Sequence, residues 1–377
     1  MTPSLSDRAD LIVLRHPIVH DKYTQAAQQM FDVPHAEESV TVIQNELTMP
    51  TSDWNIGLIH GPSGAGKSTL LRQFGNPKTF AWDAQKSVIS HFDNVSPEEA
   101  AALLSSVGFS TVPAWLRPYH CLSVGERFRC DLARAVASDD TIILVDEFTS
   151  VVDRNVARSA CVALSKLIRK TGKKIILASC HSDIIPWLCP DWSYDPSEAV
   201  THEYARGSLQ RPDVHLKVFR TKYEAWHLFS KYHYLSGDLN KAARCFMATW
   251  NDVPVAFCAI LAMPNPYKKN CWRASRTVVL PDYQGLGIGV KLSDYMGSLV
   301  KAGGGVYYSK TIHPALIAHR LKSGKWKETS HSRQARNPSN ESMQKRNWFV
   351  SPRFCYAFEY TGEPATEGAD NIFWQKC

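Results

Sequence analysis

Residues Gly61-Pro62-Ser63-Gly64-Ala65-Gly66-Lys67-Ser68 decide how the first half of the chain is read. They follow the apolar run Asn55-Ile-Gly-Leu-Ile-His60 and precede Thr69-Leu-Leu-Arg-Gln-Phe74, so a strand, a glycine-rich turn and a helix are expected in succession. In that setting the glycines let backbone N–H groups curl around phosphate oxygens. Lys67 neutralises the terminal phosphates and the Ser68 hydroxyl reaches Mg²⁺. The positive end of the following helix adds to the field. A plain glycine-rich turn is the alternative, and the full spacing between strand and helix argues against it.

Downstream, Thr141-Ile-Ile-Leu-Val-Asp146-Glu147 is an apolar run ending in two carboxylates. An acid at the end of a buried strand can hold Mg²⁺, and the next can polarise an attacking water. Alone, such a pair also reads as a helix N-cap with a first-turn acid. Strand-like and helical segments alternate through about residue 182, with Lys174–Ala178 as another buried strand, which predicts an α/β fold. Residues 186–200 and 205–213 are then dense in Pro, Asp, Ser and Arg and read as a connector. Two domains are expected, over residues 1–205 and 213–377.

At 377 residues, 44% hydrophobic and 21% charged, the chain can bury two cores and is not disordered. No apolar run nears the roughly 20 residues of a membrane helix. Met1–Asp10 carries acids instead of a secretory signal. Ten cysteines at scattered spacings, without a C-x-x-C pair, argue against a disulfide framework or structural zinc and for a reducing cytoplasm.

Further motifs carry a resemblance. Leu122-Ser123-Val124-Gly125-Glu126, with the following Arg-Phe-Arg-Cys-Asp-Leu-Ala-Arg-Ala-Val-Ala, resembles the signature of ABC-type ATPases. Ser150-Val-Val-Asp153 resembles their D-loop, His181 their switch histidine and Gln85 their Q-loop glutamine. The resemblance implies a head-to-tail homodimer in which the phosphate loop of one protomer and Ser123 and Gly125 of the other sandwich ATP. It places Asp146, Ser68 and Gln85 at the metal, Glu147 as general base and His181 on the γ-phosphate. As isolated residues, His181 would read as a structural histidine and Gln85 as a surface glutamine. Three features depart from the family: Val124 crowds a glycine position, Glu126 replaces the commoner Gln, and only 54 residues separate Lys67 from Leu122. The trimmed helical region implies a non-transport ATPase.

In the second domain Arg276–Leu280 reads as a strand, and Gln284-Gly285-Leu286-Gly287-Ile288-Gly289 opens a helix whose free N–H groups suit a pyrophosphate. A dinucleotide fingerprint is the rival, and the downstream βαβ unit it needs is missing. A hairpin is expected at Cys245–Trp250 and Pro254–Leu261 around Asn251-Asp252, and a helix over Lys222–Tyr232. The glycine segment resembles motif A of GNAT acyltransferases, which implies an α+β domain over residues 213–362 that binds acetyl-CoA or another acyl-CoA. Val278 and Val279 would then offer main-chain hydrogen bonds to the pantetheine arm. Candidate bases, acids or substrate clamps are His233, Tyr234, Arg276, Tyr307 and Tyr308, each with a packing role as its alternative.

His233-Tyr-Leu, Ser275–Gly289 and His313-Pro-Ala-Leu together resemble the Mom-type branch of this superfamily, which implies phage DNA base hypermodification. Charge points to nucleic acid independently. Residues 315–353 hold nine Lys/Arg against Glu328 and Glu341, interleaved with Trp326, Trp348 and Phe349, and the rest of the chain is balanced. Cations would engage phosphates and aromatics would stack on an extruded base. A solvated basic face, or contacts to CoA phosphates, is the competing explanation. The expectation is an ATPase–acyltransferase fusion acting on DNA. The alternatives are an RNA or tRNA acetyltransferase, and a small-molecule or protein N-acetyltransferase whose ATPase is a nucleotide-gated dimeriser.

Overall fold

A computed structural model describes residues 11–234, 238–336 and 353–366. The chain forms two compact units. The first comprises Met1–Thr79, Ser138–Val151 and Ile168–Arg211, and the second Phe80–Ala137, Val152–Leu167 and Pro212–Cys377. Residues 80–137 and 152–167, which carry the signature and the D-loop aspartate, thus group with the C-terminal half.

In the first unit, β1 (Leu11–Pro17) pairs antiparallel with β2 (Glu38–Gln44), and α1 (Lys22–Phe31) lies between them in sequence. A five-stranded sheet has the order β4-β5-β3-β6-β7, with β3 (Ile56–His60), β4 (Ile142–Val145), β5 (Lys174–Ser179), β6 (Trp192–Asp195) and β7 (Val200–Glu203). All pairings are parallel except β6–β7. A parallel strand covered on both faces must be apolar throughout, and β3 is buried at every residue. Gly57 is required there, since a Cβ would fall 2.1 Å from the Trp192 ring. α2 (Lys67–Arg72) starts directly in the phosphate loop, and α7 (Ile185–Leu188) follows β5. With β5 between β3 and β4, the carboxyl ends of three parallel strands deliver the loop, Asp146-Glu147 and Cys180-His181 to one edge of the sheet.

The second unit contains α3 (Pro97–Ser106), α4 (Val112–Trp115), α5 (Val124–Ala137) and α6 (Arg154–Thr171) as far as Leu167. Its sheet runs β13-β15-β12-β11-β10-β9-β8, with β14 also on β15. The strands are β8 (Lys217–Thr221), β9 (Arg244–Trp250), β10 (Val253–Ala262), β11 (Cys271–Val279), β12 (Val306–Thr311), β13 (Trp326–Glu328), β14 (Gln334–Arg336) and β15 (Arg353–Tyr360). α8 (Ile288–Ala302) and α9 (Pro314–Lys322) complete it, and α3 packs against α9. The β9–β10 hairpin turns on Asn251 (φ 51°) and Asp252 (φ 63°), the left-handed pair of a type I′ turn. The expected helix over 222–232 is replaced by two 3₁₀ turns, Tyr223–Leu228 and Ser230–Tyr232. Tyr223, Trp226, Phe229 and Tyr232 recur at every third residue, which a three-residue turn aligns on one face against Phe257.

β11 and β12 pair in parallel only over Cys271–Arg273 and Val306–Tyr308. Beyond that, β11 continues beside β10 to Val279 and no longer pairs with β12. The cysteines among the described residues are free, and no described helix is long and apolar enough to cross a membrane.

Candidate nucleotide and acyl-donor sites

The loop Gly61–Ser68 borders a cavity of about 430 Å³, whose other walls are Asp146, Glu147 and Ser150 with Leu14 and Ile43 on the apolar side. That volume suits a small-molecule ligand. Gly66 (φ +85°) caps α2 in the left-handed region, and a Cβ there would strike Ile43 at 2.7 Å. Lys67 Nζ donates to the Pro62 carbonyl at 2.6 Å, which arches the loop over its own backbone. Ser68 Oγ donates to Asp146 Oδ1 at 3.0 Å, and the same oxygen accepts from the Glu147 N–H at 2.9 Å. Two hard oxygen ligands about 3 Å apart are spaced as neighbours in an octahedral Mg²⁺ shell. Ser68 and Asp146 therefore fit that ion.

Glu147 is exposed on the cavity wall and held at φ 49°, with Ser150 N–H donating to its carbonyl at 3.0 Å. A non-glycine residue in the left-handed region is a strained conformation of the kind that functional sites retain. The fully buried Thr149 lies with its Oγ1 3.3 Å from His181 Nδ1, and the His181 N–H donates to Ser179 Oγ at 3.1 Å. Thr149 is thus a buried side-chain partner of His181, a contact that spacing did not reveal.

In the second unit, the Ser123 N–H and Oγ both donate to Glu126 at 3.0 Å, and the Glu126 N–H donates back to Ser123 Oγ at 3.3 Å. This capping box at the start of α5 explains Glu126: a carboxylate serves the helix N-terminus better than an amide. Val124 is 53% exposed in that first turn, so its side chain points away from the packed helix surface. Gln85 is an exposed turn residue whose N–H donates to Asp83 at 2.8 Å.

At the end of β11, Gly285 (φ +94°) and Gly287 (φ +85°) wind the chain into α8, with open space around the Gly287 α-carbon. Fifteen residues of helix put a full N-terminal dipole behind that turn. Gly289 sits under Val279, where a Cβ would be 3.2 Å from Val279 Cγ2. Gln284 is buried. Its Nε2 donates to the Val279 carbonyl at 2.9 Å and to Thr111 Oγ1 at 3.0 Å, and its Oε1 accepts from the Ser110 N–H at 2.7 Å. The Val279 carbonyl, expected to face a pantetheine arm, is therefore engaged by Gln284. The Val278 side chain packs on the opposite face with Trp226 and Phe229.

Among the candidate acceptor-side residues, His233 stacks on Tyr234 with centroids 4.7 Å apart and meets Trp226 edge-on at 5.8 Å. Arg276 on β11 donates to the Asp238 carbonyl at 3.0 Å. Burial pulls its guanidinium below the ordinary value while Tyr234 opposes the shift. The two tyrosines of β12 are placed otherwise. Tyr307 is fully buried beside Trp326, and burial raises its phenol well above the usual range, so it stays protonated at neutral pH and is not poised as a base. The Tyr308 hydroxyl accepts from Lys268 Nζ at 3.0 Å. His313, which no spacing argument singled out, follows β12; its Nδ1 is sealed from solvent without a hydrogen bond among the described residues, and burial pulls the ring down to about 4.

Part of the basic segment is structural. Arg320 is buried against the Trp326 ring at 4.3 Å and donates to Ser293 Oγ at 2.9 Å. Trp326 is itself buried and donates to Asp294 at 2.8 Å, and Arg333 pairs with Glu328 at 2.9 Å. Trp326 is therefore a core residue and no base-stacking platform. Lys322, Lys325 and Lys327 are exposed, while Lys345, Arg346, Trp348 and Phe349 lie outside the described residues.

Residues 210–321 match the acetyltransferase (GNAT) family. The chain is 28% identical over 173 residues to the methionine import ATP-binding protein MetN 2 of Acinetobacter baylyi, covering 35% of this chain and 51% of that protein. The chain thus spans about half the length of this relative. With the ordered nucleotide motifs, these matches define an α/β protein in which an ABC-type ATPase domain precedes a GNAT acetyltransferase domain. Among solved structures, a dimeric post-hydrolysis ATP-binding cassette bound to ADP and Pi aligns at TM-score 0.37 and 16% identity, covering 44% of this chain and 92% of that one. The ribosomal-protein-S18-alanine N-acetyltransferase from Escherichia coli aligns at TM-score 0.31 and 16% identity, covering 41% and 98%.

Proposed function

We propose that the chain hydrolyses ATP as a head-to-tail homodimer and transfers an acyl group from acyl-CoA to a nucleic acid, in the first place to an amine of a DNA base. The observation that carries this reading is the presence of two separate phosphate-shaped turns, Gly61–Ser68 before α2 and Gln284–Gly289 before α8, each behind a β-strand. One suits a triphosphate with its metal, and the other suits the pyrophosphate of CoA.

In the ATPase, Lys67 would exchange the Pro62 carbonyl for phosphate oxygens, and Ser68 and Asp146 would hold Mg²⁺, which would supply charge neutralisation on the phosphates. Glu147 accepts the proton of the attacking water, and Thr149 holds His181 towards the γ-phosphate. In the transferase, the α8 N-terminus holds the pyrophosphate and the parted strands β11 and β12 admit the pantetheine arm. The acceptor amine attacks the thioester carbonyl, the C–S bond breaks, and CoA leaves as the thiol with the proton given up by the amine. His233, Tyr234 and Arg276 are the residues we assign to the acceptor side.

Nucleic acid as the acceptor is supported by the charge concentrated in residues 315–353 and by the exposed Lys322, Lys325 and Lys327. Duplex DNA hides its base amines, which gives ATP-driven remodelling a purpose. The burial of Arg320 and Trp326 favours a second reading, a small-molecule or protein acceptor with the ATPase as a nucleotide-gated dimeriser. ATPase turnover with duplex DNA, single-stranded DNA or tRNA separates these. Stimulation by DNA is expected. Stimulation by tRNA alone identifies an RNA acetyltransferase, and none by any polymer, with ATP bound normally, supports the second reading.

A further inference from the structure

The turn that opens α8 packs against the α3–α4 turn and α6, in the same compact unit as the signature helix α5. Two of the hydrogen-bond partners of Gln284, the Ser110 N–H and Thr111 Oγ1, belong to the turn between α3 and α4. Backbones meet there without intervening side chains. A Cβ on Gly108 would fall 2.9 Å from the Gln284 carbonyl oxygen, and one on Gly285 would fall 2.9 Å from Ala163 Cβ and 3.1 Å from the Ser159 carbonyl of α6. Both glycines have positive φ, so the close approach and the local conformation exclude a side chain together.

A charged tie runs beside this contact. Arg129 lies on α5, the helix that begins at the signature Ser123; it is 1% exposed and donates to Ser159 Oγ at 2.6 Å. Burial pulls its guanidinium down to about 10, and Asp282, Glu126 and Asp153 hold it up. Asp282 stands two residues before Gln284. Its carboxyl is raised by burial and by Asp153 and lowered by Arg129. Asp153, the D-loop aspartate, accepts from the N–H groups of Asn155 and Val156 at 2.8 and 3.1 Å at the start of α6. Further along α6, Arg158 lies 4.4 Å over the Trp250 ring and donates to the Pro212 carbonyl at 2.8 Å. Arg129 thus ties the signature helix to α6 through Ser159, within the electrostatic reach of Asp153 and Asp282.

We propose that Gln284, with Thr111, Arg129 and Asp282, positions the acyl-donor turn on the signature helices, so that nucleotide at the signature and acyl-CoA at α8 are thermodynamically coupled. This rests on both ligands binding as set out above. A packed joint without voids transmits a displacement of α5 and α6 instead of absorbing it. Coupling between sites is reciprocal, so ATP must change acyl-CoA affinity by the same factor that acyl-CoA changes ATP affinity. Fusion of the two domains then has a consequence: the acyl donor is held differently in the ATP-clamped dimer and in the free protein.

The test uses the full chain carrying Glu147→Gln, which is expected to bind ATP with turnover strongly reduced. The Kd of acetyl-CoA is measured by titration calorimetry with and without saturating Mg-ATP, and the Kd of ATP with and without acetyl-CoA. The expected result is a change of about fivefold or more in each, equal in size and sign. Adding Thr111→Val, or Gln284→Ala, should shrink both ratios together to within about twofold. General destabilisation would weaken binding without altering the ratio, so the ratio reports positioning and not folding. The conservative Thr111→Val keeps the test valid if Gln284→Ala fails to fold. Acetyl-CoA bound with equal affinity in both states would refute the coupling alone. No acetyl-CoA binding in any state would refute the acyl-donor assignment and the coupling with it.

Discussion

Lys67 donates to the Pro62 carbonyl and lines the cavity beside Ser68, Asp146 and Glu147. Lys67→Ala should lower ATP affinity by at least about 100-fold in equilibrium binding, and an unchanged Kd would remove the loop from the site. Glu147→Gln should cut turnover by about 10²–10⁴-fold and leave an ATP-dependent dimer on gel filtration; retained turnover would assign the base elsewhere. His313 gives a pH signature. Its folded value of about 4 lies below the ordinary 6.5, so the unfolded chain binds the extra proton between them. The stability it contributes is complete above about pH 6.5 and is lost as pH falls towards 4. His313→Gln should therefore lose less in Tm than the unmodified protein between pH 7.5 and 5, and equal losses would contradict the assignment. Ser68, Asp146 and Glu147 were legible in sequence because their chemistry requires fixed spacing from a strand end. Thr149 behind His181 and Ser110 behind Gln284 were not, since a buried hydroxyl or amide gains its partner only through tertiary packing.

Among elements, α8 and the turn before it are the proposed acyl-donor site. Gly287→Trp places a large ring where the α-carbon now faces open space, at a backbone angle that L-residues resist. It should raise the Kd of acetyl-CoA by about 100-fold or more while circular dichroism stays native, and an unchanged Kd would move the donor site off motif A. Apolar runs located β3, β4 and β5 because parallel strands buried on two faces leave no polar alternation. The hairpin at Asn251-Asp252 was legible from its turn chemistry. The segment over 222–232 was misread as a helix because its aromatic spacing of three satisfies both α and 3₁₀ templates, and contact with Phe257 decides between them. The parting of β11 from β12 has no local signal at all, because pairing is a property of two strands.

For the whole molecule, composition gave a local positive field, and packing divides that field into two parts. Arg320 and Arg333 are spent on Trp326 and Glu328, whereas Lys322, Lys325 and Lys327 are exposed, Lys325 with its Nζ 4.0 Å from Asp294. Replacing these three lysines with Gln should reduce the slope of log K against log salt for duplex DNA by about 3. An unchanged slope would place the binding face elsewhere. The most direct measurement is transfer of labelled acetyl from acetyl-CoA, with Mg-ATP present, to duplex DNA, single-stranded DNA or tRNA, followed by digestion to nucleosides. Label on a DNA nucleoside, lost in both Lys67→Ala and Gly287→Trp, is the expected result. Absence of label on every polymer, with ATP and acetyl-CoA both bound, would contradict nucleic acid as the acceptor.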